Sequence, residues 1–144
     1  MTAIVVDIYC RTATNDAESR TNLAQQEATC RAYCRECGLT VSNVYQEVAS
    51  GNTYRNRELL TIMRKRYRSG QTQGVVVTAL DRLSRSNVHL IILLQEMAAH
   101  DTAFYCVHDS TSDVTGRIVI LVSDILTEVE REKALDTSLT DPQL

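Results

Sequence analysis

Arginine presents its donors in a planar fork that matches phosphate oxygens, and in this 144-residue chain arginines gather with hydroxyls in three short segments. The first is Cys10-Arg11-Thr12-Ala13-Thr14, the second runs from Ser50 to Arg57 and includes Arg55, and the third is Asp81-Arg82-Leu83-Ser84-Arg85. Five guanidiniums brought to one place repel one another unless an anion sits among them, so the chemistry these segments could do is phosphate binding. Each arginine could instead pair with Asp81, Glu47 or Glu58 and do nothing further. A denser basic run, Arg64, Lys65, Arg66 and Arg68, falls on all sides of one predicted helix and reads as a solvated face.

The elements that must bring the three segments together follow from hydrophobic periodicity. Residues 3–9 are β-branched and apolar apart from Asp7 and predict a buried strand. Residues 19–37 place Leu23, Cys30, Cys34 and Cys37 at helical spacing before Gly38, a residue type that stops helices. A second strand is predicted over 40–48 and a helix over 57–69, with Asn56 as its cap and Gly70 as its stop. Val75, Val76 and Val77 mark a third strand over 74–80. A loop over 81–87, a helix over 89–100, a strand over 102–107 and a long helix from about 116 past Lys133 complete the pattern. Alternating strands and helices predict an α/β fold, a mostly parallel central sheet flanked by helices, with right-handed crossovers. In such sheets ligands bind beyond the carboxyl ends of the strands, which is where all three arginine segments fall.

Composition narrows the classes further. The formal charge is −3, so the whole-molecule field does not announce a nucleic-acid binder. Residues 50–85, however, hold eight Arg and Lys against Glu58 and Asp81, a local balance of +6. No apolar run reaches the roughly 18–20 residues of a membrane span. The first residues carry no secretory pattern, and five cysteines suit a reducing, cytoplasmic compartment better than a disulfide framework.

Tyr9-Cys10-Arg11-Thr12-Ala13-Thr14, then Gln26, then Ala49-Ser50-Gly51 with Arg57 and Leu60, then Leu80-Asp81-Arg82-Leu83-Ser84-Arg85, and finally Glu130-Arg131-Glu132 resemble the catalytic domain of the serine recombinases, the resolvase and invertase group. The resemblance covers residues 3–133 and implies a resolvase-like core over 1–115, a long dimerisation helix over 116–135 and a tail over 136–144. It implies DNA as substrate, a homodimer that becomes a tetramer during strand exchange, and no cofactor or metal. A serine would attack a phosphodiester to give a 5′-phosphoserine and a free 3′ hydroxyl, and rejoining would reverse the step. By position, Arg11, Arg57, Arg82 and Arg85 would hold the scissile phosphate. Asp81 would orient those arginines or handle the proton of the leaving oxygen, and Gln26, Ser50 and Arg131 would complete the site.

Two departures stand out. Where the family pattern calls for the nucleophilic serine, this chain has Ala13, whose methyl cannot attack phosphorus. Thr12 and Thr14 flank it, but on an extended segment neighbours point to opposite sides. The chain therefore reads as catalytically dead, either a trapped form or a pseudoenzyme, and the alternative function is a non-catalytic module that regulates recombinase assembly. Second, residues 134–144 are too few for the DNA-binding domain that family members carry after the long helix.

Other motifs are weaker. Cys30, Cys34 and Cys37 have a C-x3-C-x2-C spacing that resembles an iron–sulfur motif, yet the same spacing is one face of a helix and reads as a buried stripe. His89, His100 and His108 show no metal spacing. Ile118, Leu121, Ile125, Leu126 and Val129 form an apolar stripe that implies a partner helix.

Overall fold

The computed structural model describes residues 3–50, 57–108 and 130–131. Four strands, β1 (Val5–Thr12), β2 (Thr40–Val48), β3 (Gly74–Val77) and β4 (Ala103–Cys106), form one parallel sheet in the order β2-β1-β3-β4. The helices are α1 (Ala17–Cys37), α2 (Glu58–Arg68), the single turn α3 (Leu80–Leu83) and α4 (Asn87–Ala99). This is the expected α/β architecture. The predicted helix from residue 116 and its apolar stripe lie outside the described residues, apart from Glu130 and Arg131, which are helical and exposed. None of the described helices is long and apolar enough to cross a membrane.

Alternation along β1 divides the core. Val6, Ile8 and Cys10 join Leu23, Cys30 and Cys34 of α1 and Val76 of β3 in one apolar layer. Tyr9 points the other way, with Val75 and Val77 of β3, into a layer built with Leu60, Met63 and Tyr67 of α2 and Leu90, Leu93 and Met97 of α4. Burying both sheet faces explains why β1 and β3 read as nearly continuous apolar runs. Gly38 ends α1 at φ 70° and Gly70 follows α2 at φ 80°, the left-handed conformation for which glycine was the predicted stop.

Several boundaries depart from expectation for physical reasons. β1 runs on to Thr12 because its pairing with β2 continues to Thr12–Val48, so Arg11 is a strand residue and not part of a loop. α1 starts earlier, at Ala17, because the Asp16 side chain accepts the Ser19 N–H at 2.7 Å. The predicted loop over 81–87 begins as α3, whose Ser84 N–H bonds the Leu80 carbonyl. Asn56 lies outside the described residues, and α2 takes its cap from elsewhere, as described below. Cys30 and Cys34 are buried as the stripe reading requires, but Cys37 is exposed at the last turn.

The basic run on α2 is also not a solvated face. Arg64 makes two 2.9 Å bonds to Glu96 of α4, which also accepts the Tyr67 hydroxyl and lies 3.7 Å from Arg68. Arg66 donates to Asp7, a fully buried carboxylate in β1, at 3.0 Å, and to the Ser42 hydroxyl. Lys65 alone of the four has no such partner among the described residues.

Candidate functional site

The face of β1 that carries Asp7, Tyr9 and Arg11 at alternate positions is a polar seam, and each of the three engages the arginine-bearing elements. Asp7 meets Arg66, Tyr9 meets Arg57, and Arg11 meets the backbone of α3. The seam leads to the carboxyl edge of the sheet.

Arg11 is 1% exposed and binds no carboxylate among the described residues. Its Nε donates to the Arg82 carbonyl at 3.1 Å, Nη1 to the Ala49 carbonyl at 2.9 Å and Nη2 to the Asp81 carbonyl at 2.7 Å. One guanidinium thereby ties the ends of β1 and β2 to α3. Burial, and then the nearby Arg57 charge, hold its pKa below the usual guanidinium value. The Arg11 peptide is gripped in turn by Gln26 of α1, whose side-chain oxygen accepts the Arg11 N–H at 3.1 Å while its nitrogen donates to the Arg11 carbonyl at 3.0 Å. Arg82 Nη1 donates to the same carbonyl at 3.1 Å.

Arg57 is fully buried and stands over the Tyr9 ring, 5.2 Å from its centroid. Its Nε and Nη2 donate to the Tyr9 hydroxyl at 3.1 and 2.8 Å, and that hydroxyl donates to Glu47 Oε1 at 2.5 Å. Burial raises the Tyr9 pKa, so the phenol keeps its proton and conveys carboxylate charge to the guanidinium. Glu47 also accepts the backbone N–H groups of Leu59 at 2.7 Å and Leu60 at 3.2 Å. A carboxylate from β2 thus caps α2, whose own N-cap residue Arg57 supplies no side-chain bond. Arg57 Nη1 is buried with no hydrogen-bond partner among the described residues.

Position 13 lies just past the end of β1, and Ala13 is exposed in a cleft of about 350 Å³ that also involves Thr12, Thr14, Asn22 and Arg82. Neither flanking hydroxyl is free. Thr12 donates to the Thr14 carbonyl at 2.9 Å, and Thr14 bonds Asp16 at 3.1 Å and the Ser19 hydroxyl at 2.6 Å.

Of the residues singled out in the sequence, the structure brings Arg11, Gln26, Arg57, Asp81 and Arg82 together. Asp81 is exposed, with Oδ1 3.8 Å from Arg82 Nε. Arg85 is exposed after α3, near enough for its charge to act on Arg11. Ser50 is exposed just beyond β2, and Arg131 is exposed on its helix. Arg55 lies outside the described residues. Glu47, named in the sequence as a possible arginine partner, does lie 3.9 Å from Arg57, but its link through the Tyr9 hydroxyl and Tyr9 as the seat of Arg57 were not foreseen. The only sequence signal for Glu47 was an acid among the apolar positions of a predicted strand. Among the described residues no set of three or more His, Cys, Asp or Glu side chains is arranged to hold a metal.

The sequence matches the family described as "Resolvase, N terminal domain" over residues 6–139. It is 34% identical over 133 residues to the serine recombinase gin of Escherichia phage Mu, a match that covers 91% of this chain and 62% of that protein. It is 36% identical over 91 residues to the DNA-invertase of Escherichia phage P1, covering 62% of this chain and 47% of the relative. The crystal structure of the N-terminal catalytic domain of TP901-1 integrase superposes with a TM-score of 0.74 at 27% identity, covering 90% of this chain and 98% of that one. The chain thus spans about half to three fifths of the length of these curated relatives.

Proposed function

Since this chain belongs to the resolvase family of serine recombinases, we propose that it is the phosphoryl-transfer module of a site-specific DNA recombinase and that Ala13 leaves it unable to cut. The observation that carries this reading is the placement of position 13 in an open cleft walled by Arg82, directly beyond the strand that holds Arg11.

With serine at position 13 the step is an in-line displacement. A bond forms between Oγ and phosphorus, the bond from phosphorus to the 3′ oxygen breaks, and the hydroxyl proton leaves as the 3′ oxygen gains one. Such a reaction needs positioning and charge stabilisation more than covalent help. Arg82 and Arg85 reach solvent and would meet the phosphoryl oxygens. Arg11 and Arg57 stand behind them as fixed positive charges, and the unpaired Nη1 of Arg57 is a donor left open. Gln26 keeps Arg11 in register. Asp81, beside Arg82 and exposed, is placed to orient that arginine or to exchange the proton. Ser50 and Arg131 would complete the site around bound DNA. Residues 116–135 would form the dimerisation helix, with a tetramer during strand exchange and a cytoplasmic setting.

Ala13 itself favours a second reading, in which the chain regulates active recombinases by joining mixed assemblies. One experiment separates the two. An Ala13→Ser chain joined to a sequence-specific DNA-binding domain is expected to form a covalent adduct at the 5′ side of a break, the Ala13 version none, and an added Arg82→Ala change removes most of the gain. Cleavage by the Ala13 version with Thr12 or Thr14 attached would overturn the assignment of position 13. An inert Ser version would favour the regulatory role.

A further inference from the structure

Arg82 walls two clefts. On its other side from Ala13 lies a second, of about 310 Å³, between α1 and the carboxyl ends of β3 and β4. Its lining differs in kind. Apart from Asp81, Arg82 and the imidazole of His108 just beyond β4, the side chains there are amides and hydroxyls, chiefly Asn22, Gln25 and Thr29 on one face of α1 and Thr78 at the end of β3, with the methyl of Ala79 beside them. Gln26 is spent on the Arg11 peptide, and Asn22 accepts from Gln26 at 2.6 Å through its oxygen, which leaves the Asn22 amide nitrogen to donate. Neither the Gln25 amide nor the Thr29 or Thr78 hydroxyl is engaged by another described residue. Thr78 is 5% exposed, so its hydroxyl sits deep in the fold rather than on open surface.

We propose that this second cleft takes the base of the nucleotide attached to the phosphate at Arg82, unstacked from the duplex and read by its hydrogen-bonding edge. The proposal rests on the DNA reading above and names a specificity element within it. Three features argue for a base rather than a further phosphate. The free groups are neutral donors and acceptors, as in the pairing of Asn or Gln with an adenine edge, and the Ala79 and threonine methyls supply apolar contact. The volume is of the size that holds a small ligand. And because Arg82 lines both clefts, a phosphate held there places its own nucleoside within reach of the second. The one ring among the described lining residues is the imidazole of His108, which could stack on the base while the amides and hydroxyls read its edge. Extrusion is least costly for a base that is already unpaired, which is the condition of bases beside a broken strand.

The test is a titration of the isotopically labelled chain, followed by nuclear magnetic resonance, with three probes: a 5′-phosphorylated deoxyadenosine dinucleotide, its abasic analogue with the same phosphates, and inorganic phosphate. The dinucleotide is expected to shift the Asn22 and Gln25 side-chain amides and to bind about fivefold or more tightly than the abasic analogue. The pair Gln25→Ala, at an exposed position, and Thr29→Ala, at a half-buried one, is expected to reduce its affinity to the abasic level while phosphate binding is kept. Equal affinities and identical shifts for the dinucleotide and the abasic analogue would overturn the base pocket and leave the phosphate site standing. If none of the three probes shifts the Ala13–Arg82 region, the phosphate reading fails together with it.

Discussion

Replacing Glu47 by alanine tests whether the acid from β2 organises the arginine site. Three contacts are lost at once. The capping of the Leu59 and Leu60 N–H groups is worth about 1 kcal/mol, and the charge at the helix N-terminus adds at most about 1 more. The third loss is larger, because Arg57 and Tyr9 stay buried without their acid, and stranding a buried charge costs about 3 kcal/mol or more. Together these predict a destabilisation of about 4 kcal/mol, which for a chain of this size lowers Tm by about 8–16 °C. Glu47→Gln keeps the shape but presents an amide nitrogen to a donor, and is expected to fall between the two, at about 2 kcal/mol. Urea titrations followed by circular dichroism give the differences directly. In a double-mutant cycle with Tyr9→Phe, the coupling energy is expected to be about 1 kcal/mol or more. If Glu47→Ala lies within about 1 kcal/mol of the parent, or if the cycle shows no coupling, the carboxylate is not the organiser described here.

Three further outcomes are expected. Hydrogen bonds from Arg64 hold the Glu96 pKa below its usual value of 4.5, so the stability it contributes is present above that pH and lost as pH falls below it; Glu96→Gln should flatten the acid limb of a stability–pH curve. Burial pushes the Cys10 thiol up to about 12 and the Cys30 thiol higher still, whereas Cys37 is exposed, so a thiol reagent at neutral pH should titrate one of the five cysteines in the native protein and all five in denaturant. Because Arg11 spends its donors on carbonyls, an added sulfate should meet Arg82 and Arg85; at ten times its Kd it should stabilise the chain by about 1.4 kcal/mol, and an Arg82→Ala variant should lose that gain.

The order of elements was legible because most of them answer to local rules. Two-sided burial leaves Val75, Val76 and Val77 adjacent, and Gly38 and Gly70 stop helices wherever they stand. Arg11, Arg57 and Arg82 could be picked out by type and spacing. What they do when unliganded could not. An arginine interrupts an apolar run and so shortened the expected first strand, yet Arg11 belongs to the strand because distant carbonyls neutralise it. The basic run on α2 looked solvated because its acids stand 59 positions away at Asp7 and 32 away at Glu96. Glu47 could be named as a possible arginine partner, but its capping of α2 could not be read, since nothing near it in sequence announces a helix that begins eleven residues later.

The grip of Gln26 on Arg11 has a consequence for the sheet itself. Pairing between β1 and β3 ends at Ile8–Val76, while β1 and β2 stay paired to Thr12, so the sheet forks as it approaches position 13. Inside the fork the Gln26 amide offers β1 one acceptor and one donor, the same offer a neighbouring strand would make. It is a borrowed peptide group that finishes the strand without closing the gap. Glutamate would lose the donor and leave the Arg11 carbonyl to Arg82 alone, and leucine would lose both and leave the Arg11 N–H without its acceptor. The fork beside position 13 is therefore lined not by a further strand but by a side chain that imitates backbone, with Arg82 sharing the Arg11 carbonyl.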